Sequence, residues 1–331
     1  MPQLDMRRRR LLQAVGIGAT GLVGMGAVAG LTRTAGGAAA NGLRALGAER
    51  RWLNSAPLQA EDLVGKVLLV NFWTYSCINS LRPLPYVRAW AEKYRDRDLI
   101  VIGAHAPEFA FEHDFDRVRR AVAAQGIAYP VVLDNDYAIW NAFANDAWPG
   151  FYFVDASGVV RHRTLGEGEY EASEQMIQRL LSEARHASVE DALATPRGEG
   201  VQAAPDWAHL RSPETYIGYA KAENFAGRSA LMSDASARYE PPLSLLLNQW
   251  ALSGRWNVGA EFATSEAGSG IVFRFHARDL NFVLGRGSSS PMRFHVTVDG
   301  QPPGARLPFR RRAQNSAGAG RPPVHRRRAQ R

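Results

Sequence analysis

Apolar and polar residues follow two different patterns along residues 50–187. Short continuous apolar runs fit buried strands, and apolar residues spaced three or four apart fit amphipathic helices. The pattern predicts strands at Lys66–Phe72, Leu99–Ala104, Ala128–Leu133, Gly150–Val154 and Val159–Leu165. It predicts helices at Ile78–Arg95, Phe111–Gln125, Tyr137–Phe143 and Tyr170–Ala187. Strands that alternate with helices predict an α/β sheet, which here ends in a β-hairpin turning at Asp155–Gly158.

The pattern changes after this domain. Residues 188–213 are rich in Ala, Pro, Gly and acidic residues, a composition typical of a linker. Beyond them apolar residues recur at every second position, most clearly in Ile271–Ala277 and Met292–Val298, with Gly-containing turns between the runs. The sequence therefore predicts an α/β domain at 50–187, a linker at 188–213 and an all-β domain of jelly-roll or sandwich type at 214–304.

The two ends of the chain carry its positive charge. The net charge is +8, but residues 301–331 hold nine arginines and no Lys, Asp or Glu, and residues 1–40 carry +4. Residues 41–300 therefore carry −5. A nucleic-acid-binding module needs a basic folded surface interleaved with aromatic residues, so we expect no nucleic-acid partner.

Residues 1–40 have the anatomy of an export signal. Arg7–Arg10 precede an apolar, Gly-rich run that extends to Leu31, and small residues follow. An Arg pair before an apolar pair is similar to a twin-arginine signal. We expect export to the periplasm or another extracytoplasmic compartment. An uncleaved membrane anchor is the alternative, because the apolar run is just long enough to span a bilayer.

The tail at 305–331 has no apolar periodicity, and its arginine clusters repel one another. We expect a disordered tail, with a polyanion-binding arm as the alternative. The abrupt loss of both alternation and acidic residues also supports the hypothesis of a reading-frame shift near residue 304. Such a shift would leave the β domain incomplete.

Cys77 is the only cysteine in 331 residues. A lone cysteine excludes an internal disulfide and a Cys-rich zinc or iron–sulfur site, and we expect no cofactor and no metal. The pattern places Cys77 between a buried strand and the start of a helix. Free N–H groups and the positive end of the helix dipole stabilise a thiolate there, which predicts a lowered pKa and a nucleophilic sulfur.

Several stretches of the first domain together resemble one family. They are Asn71–Asn79, Leu84–Trp90, Ala106–Glu112, Asp134–Trp140 and Gly166–Glu171. The first is similar to a thioredoxin-type W-x3-C-x2-C site, and βαβα followed by a hairpin is the thioredoxin order. The chain resembles the extracytoplasmic TlpA-like/DipZ family of thiol:disulfide interchange proteins. In that family a carbohydrate-module-like jelly roll follows the thioredoxin-like domain, and residues 216–300 resemble this module.

The resemblance implies roles for five residues. Cys77 would attack a protein disulfide, and Pro149 would be a cis-proline that faces the Cys77 sulfur. Trp73 would form one wall of the site. Glu108 lies where TlpA-like proteins can carry a proton-relaying acid. The family pattern is C-I-N-C, and Ser80 replaces its second cysteine. We therefore expect a monothiol exchanger whose mixed disulfide is released by an external thiol or a membrane electron donor. We also expect Ser80 to donate a hydrogen bond to the sulfur.

Plain structural interpretations compete with some of these roles. Trp73 and Tyr75 are as typical of a hydrophobic core as of a site wall, and Glu108 is as typical of a solvated loop. In the β domain an aromatic set could contact carbohydrate, although alternating positions favour core packing. This set is Trp250, Trp256, Phe262, Phe273 and Phe275.

Two other functions fit parts of the sequence. Thiol peroxidases carry P-x3-[T/S]-x2-C, and Thr74 and Cys77 match this pattern, but Val70 stands where it requires proline. A non-catalytic thioredoxin-like protein that binds partners is the other alternative. Replacing Ser80 with cysteine distinguishes thiol–disulfide exchange from partner binding, because only an intact exchange site gains fast dithiol activity.

Overall fold

The computed structural model of the chain describes residues 43–47, 50–189, 191–285 and 293–303. The predicted export signal at 1–40 and the Arg-rich tail at 305–331 lie outside these residues. Within the described ranges, no helix combines the length and the apolar composition that crossing a bilayer requires.

A six-stranded mixed sheet organises the first domain. Its strands are β1 (Trp52–Leu53), β2 (Val67–Trp73), β3 (Leu99–His105), β4 (Val131–Leu133), β5 (Gly150–Val154) and β6 (Val160–Leu165). They lie in the order β1-β4-β3-β2-β5-β6, in which β2, β3 and β4 are parallel and the remaining neighbours are antiparallel. The helices are α1 (Ile78–Leu81), α2 (Leu84–Lys93), α3 (Phe115–Ala124), α4 (Ala138–Ala142) and α5 (Tyr170–Arg185). This arrangement confirms the predicted α/β fold of thioredoxin type.

Strand β2 is buried along its whole length because helices cover both faces of the sheet. Successive side chains of a strand point to opposite faces. On one face Val67, Leu69 and Trp73 pack with residues of α2 and α5. On the other face Leu68, Val70 and Phe72 pack with residues of α4. The continuous apolar run that predicts this strand thus serves two hydrophobic cores.

The single helix predicted at Ile78–Arg95 is wrong. α1 ends at Leu81 and α2 begins at Leu84, with Arg82 and Pro83 between them. Pro83 has no N–H and cannot donate the hydrogen bond that a continuous helix would require at this position. As a result, only one turn of helix follows Cys77.

Two other features of the first domain depend on single residues, namely the start of α3 and the turn between β5 and β6. The predicted helix at Phe111–Gln125 becomes a 3-10 turn at Ala110–His113 followed by α3. Asp114 begins α3, because its carboxylate accepts a hydrogen bond from the Arg117 N–H at 2.9 Å. The predicted hairpin between β5 and β6 is confirmed, and Gly158 supplies its left-handed position (φ 81°).

An antiparallel sheet forms the C-terminal β region. Its strands are β7 (Ser236–Tyr239), β8 (Trp250–Val258), β9 (Ala263–Ser265) and β10 (Gly270–Phe273), and β8 pairs with each of the others. The predicted all-β character is confirmed. The strand predicted at Met292–Val298 is wrong where it is described: residues 293–297 are irregular, and Val298 forms an isolated bridge with Gln301 instead of joining the sheet.

The aromatic residues considered for carbohydrate contact lie mainly in the core of this region. Trp250, Trp256 and Phe273 are buried and pack together, and Phe275 packs against them. Phe262 differs, with 65% of its surface exposed. Three of the five rings are therefore occupied by packing and cannot stack on a sugar.

Residues 191–213 of the linker predicted at 188–213 pack along the first domain. The Ala194 N–H donates a hydrogen bond to Glu174 Oε2 at 2.8 Å. Farther along, Gln202 Nε2 donates to Gln125 Oε1 at 2.8 Å, and the 3-10 turn at Gly200–Gln202 lies against α1. The segment therefore follows a defined path over the first domain, and this path leads to the neighbourhood of Cys77.

Candidate active site

Cys77 lies beyond the carboxyl end of a central strand, where α1 begins. β2 ends at Trp73, a short loop follows, and Cys77 has the extended backbone of an N-cap residue (φ −78°, ψ 119°). Its carbonyl accepts hydrogen bonds from the N–H groups of Ser80 at 3.1 Å and Leu81 at 3.2 Å. The structure thus has the strand–loop–helix geometry that the sequence predicts, with Cys77 as a half-buried residue.

Ser80 lies one helical turn beyond the cysteine and is fully buried. Its Oγ accepts a hydrogen bond from the Thr74 N–H at 3.3 Å, which connects α1 to the loop before the cysteine. Hydrogen bonds from the N–H and hydroxyl of Ser80 lower the pKa of Cys77. Donation from the Ser80 hydroxyl to the sulfur stays a prediction, and a hydroxyl cannot form a disulfide.

The wider surroundings of the sulfur act in the opposite direction and prevail. Burial, followed by the carboxylates of Glu214 and Glu108, raises the pKa of Cys77 to about 12. The predicted lowering is therefore wrong. The dipole of a four-residue helix is small, whereas removal of water strongly disfavours a thiolate.

The two aromatic residues before Cys77 differ in their surroundings. Trp73 is completely buried, and its ring meets the His105 ring edge-on at 5.3 Å between centroids. It is a core residue, and its predicted role as a wall of the site is wrong. Tyr75 is partly exposed, stacks on His105 at 5.6 Å, and donates a hydrogen bond from its hydroxyl to the Phe111 carbonyl at 3.2 Å.

The peptide bond between Trp148 and Pro149 is cis, as the resemblance implies. Gly150, the next residue, pairs with Phe72 near the end of β2. The register therefore places Pro149 at the end of the sheet where β2 ends and the loop to Cys77 begins.

Glu108 is neither solvated nor free to move. Its side chain is 8% exposed, and Oε1 accepts hydrogen bonds from the Tyr216 hydroxyl at 2.8 Å and from Lys221 Nζ at 3.2 Å. The alternative of a solvated loop charge is therefore wrong. Glu108 joins the loop after β3 to the beginning of the C-terminal β region.

Glu112 is a buried acid that is not among the predicted site residues. One carboxylate oxygen accepts hydrogen bonds from the Ser76 hydroxyl at 2.6 Å and the Ser76 N–H at 3.2 Å. The other accepts from the N–H groups of Glu108 at 2.6 Å and Phe109 at 3.0 Å. Burial nevertheless raises the pKa of Glu112. Its position near the start of a 3-10 turn was the available signal, because acids often cap such turns.

The C-terminal β region also contributes to the site. Asn79, two residues after Cys77, donates a hydrogen bond from Nδ2 to Glu214 Oε1 at 3.3 Å. The Tyr216 hydroxyl lies 3.4 Å from Glu214 Oε2 while it donates to Glu108. No local pattern could reveal this contact, because 135 positions separate Asn79 from Glu214.

Comparisons with known proteins agree with this geometry. Residues 52–180 match the Redoxin family, and residues 212–314 match the family of thioredoxin-like C-terminal domains. Protein DipZ of Mycobacterium bovis is 39% identical over 262 residues, covering 78% of this chain and 36% of DipZ. The thiol-disulfide oxidoreductase YkuV of Bacillus subtilis is 32% identical over 136 residues, covering 41% of this chain and 90% of YkuV.

Among solved structures, a thioredoxin-like protein in its oxidised form is 31% identical, with a TM-score of 0.39, and the match covers 43% of this chain and 95% of that one. The chain spans about a third of the length of DipZ. It spans most of YkuV, a thiol-disulfide oxidoreductase. The chain therefore belongs to the TlpA/DipZ-like family of thiol-disulfide oxidoreductases, with a redoxin domain followed by a thioredoxin-like C-terminal domain.

Proposed function

We propose that this protein exchanges thiols and disulfides outside the cytoplasm through one nucleophilic sulfur, that of Cys77. The observation that carries the proposal is the placement of Cys77 at the N-cap of α1, with Ser80 one turn later at the position of a second thiol, its N–H donating to the Cys77 carbonyl at 3.1 Å. The domain limits of 50–187, 188–213 and 214–304 and export by residues 1–40 belong to the same proposal.

The exchange has two steps. The Cys77 thiolate attacks one sulfur of a substrate disulfide, the substrate S–S bond breaks, and a mixed disulfide with Cys77 forms. The departing substrate thiolate takes a proton from water. Ser80 cannot attack the mixed disulfide, because its hydroxyl is far too weak an acid and does not form S–S bonds.

Release therefore needs a second thiol from outside the chain. An external thiol, another cysteine of the substrate or a membrane electron donor attacks the mixed disulfide and regenerates Cys77. Pro149 is proposed to contact the incoming chain, because it lies at the end of the sheet where the loop that carries Cys77 begins. Exposed protein disulfides and thiols are the proposed substrates.

Adduct trapping tests the mechanism. The protein is incubated with oxidised insulin and no added thiol, and mass spectrometry is used to detect a mixed disulfide on Cys77. We expect the adduct to accumulate in the native protein and to be absent from Cys77→Ser. In Ser80→Cys we expect little adduct and rapid turnover when a reductant is supplied. Rapid and complete turnover by the native protein would contradict a monothiol mechanism.

One observation favours a second function, that of a non-catalytic partner-binding protein. The pKa of Cys77 is raised to about 12, so the sulfur is protonated at neutral pH in this conformation. A binding protein needs no thiolate. If Ser80→Cys gains no dithiol activity and Cys77 forms no adduct, partner binding becomes the better description.

A further inference from the structure

The C-terminal β region places a carboxylate next to the proposed nucleophile. Glu214 Oε1 accepts a hydrogen bond from Asn79 Nδ2 at 3.3 Å, and Asn79 lies two residues after Cys77 at the start of α1. Glu214 is exposed to solvent. A substrate that approaches the sulfur therefore passes a negative charge supplied by the other domain.

Glu214 and Glu108 differ in their surroundings. Glu108 is nearly buried, and Lys221 Nζ lies 3.2 Å from its Oε1. The same ammonium group lies over the ring of Tyr216 at 4.6 Å from the centroid, which holds it in place. Glu108 is thus held inside the protein by Tyr216 and Lys221, whereas Glu214 is exposed to solvent, where a charged substituent of a substrate can reach it.

We infer that Glu214 is a specificity-determining residue that makes Cys77 react preferentially with disulfides bearing a positive charge close to the sulfur, and disfavours anionic ones. This inference rests on the proposed exchange function. Opposite charges across an association surface increase the rate of productive encounter, and like charges reduce it. The substrate class is therefore a disulfide flanked by lysine, arginine or another cationic group.

The electrostatics of the cysteine support the same assignment. After burial, the carboxylate of Glu214 contributes most to the raised pKa of Cys77, in agreement with its position beside Asn79. A cationic substituent near Glu214 would offset that charge and favour the thiolate as the substrate arrives. An anionic substituent would add to it.

Small disulfides of different charge test the inference. The probes are cystamine (cationic), bis(hydroxyethyl) disulfide (neutral) and dithiodipropionate (anionic). In each reaction Cys77 bonds to one sulfur of the probe, and the other half leaves as a thiolate that takes a proton from water. Adduct formation is timed by mass spectrometry at one near-neutral pH. Each rate is divided by the rate of N-acetylcysteinamide with the same probe, which removes the intrinsic reactivity of the disulfide.

We expect the normalised rates to fall in the order cationic, neutral, anionic. In Glu214→Gln the ratio of cationic to anionic rates should fall about fivefold, the size of effect expected from an exposed charge pair. Raising the salt concentration from about 0.05 M to 0.5 M should reduce the ratio in the native protein and leave the variant unchanged. Using ratios removes any change in the pKa of Cys77, which affects all three probes alike.

Glu240→Gln is the matched control, because it removes the same charge from an exposed residue that pairs with Arg228 elsewhere in the C-terminal β region. It should keep the native ratio. Equal normalised rates in the native protein, or a ratio that Glu214→Gln leaves intact, would overturn the inference while the exchange function stands. Absence of any adduct with all three probes would overturn the proposed function, and the inference with it.

Discussion

Two regions of the molecule meet at Cys77, and residues of both change the pKa of its sulfur. The first domain supplies Ser80, whose N–H and hydroxyl lower the pKa of the cysteine. The segment that begins the C-terminal β region supplies Glu214, which raises that pKa, and it holds Glu108, which raises it further. Burial of the sulfur is the largest influence and also raises the pKa.

This difference shows which features of the active site are local. Strand β2, the loop and α1 position the sulfur through short-range hydrogen bonds. Its ionisation is decided by residues far away in the chain, because desolvation and charge act through space.

The pH dependence of alkylation has the largest expected effect. Only the thiolate reacts with iodoacetamide, and the pKa of Cys77 is about 12. The rate should rise about tenfold per pH unit between about pH 7 and pH 10, or about a thousandfold in all. Mass spectrometry of quenched samples measures it, with Cys77→Ser as the blank. A plateau below about pH 9 would show that the first domain controls the sulfur after all.

Glu112→Gln tests the first domain's own support of the loop. The carboxylate accepts hydrogen bonds from Ser76, Glu108 and Phe109, and an amide has only one oxygen to offer them. We expect the free energy of unfolding in urea to fall by about 1–3 kcal/mol. Glu171→Gln, at an exposed position on α5, should change it by less than about 0.5 kcal/mol. Equal effects of the two variants would contradict a supporting role for Glu112.

Ser80→Ala removes the hydroxyl that favours the thiolate. The pKa of Cys77 should rise further, and alkylation at neutral pH should slow about threefold to tenfold. Ser188→Ala, at an exposed position after α5, should react at the native rate. Unchanged alkylation in Ser80→Ala would mean that the first domain contributes nothing to the ionisation of Cys77.

Lys221→Met has the smallest expected effect and tests the C-terminal side. Without the ammonium group, the charge of Glu108 is less well balanced, so the pKa of Cys77 should rise and alkylation should slow about twofold to threefold. Lys66→Met removes a half-exposed lysine paired with Asp98 and should leave the rate unchanged. Faster alkylation in Lys221→Met would reverse the role that we assign to this region.

Much of the fold and the position of the nucleophile could be predicted from the sequence. The apolar run that forms β2 and the position of Cys77 before a helix follow from backbone geometry over a few residues. The cis bond before Pro149 followed from the resemblance alone. The break between α1 and α2 was missed although its signal is local, because Pro83 interrupts an otherwise helical pattern.

Tertiary structure alone decided how Cys77 ionises and what stands beside it. Trp73 is equally compatible with a core and a site wall until the packing of β2 against α2 and α5 is known. Glu214 directly follows the segment with a linker-like composition, and only the path of residues 191–213 over the first domain brings it to Asn79. Sequence periodicity records which residues are buried in each element, whereas pKa values depend on water and charge from all elements that converge on a point.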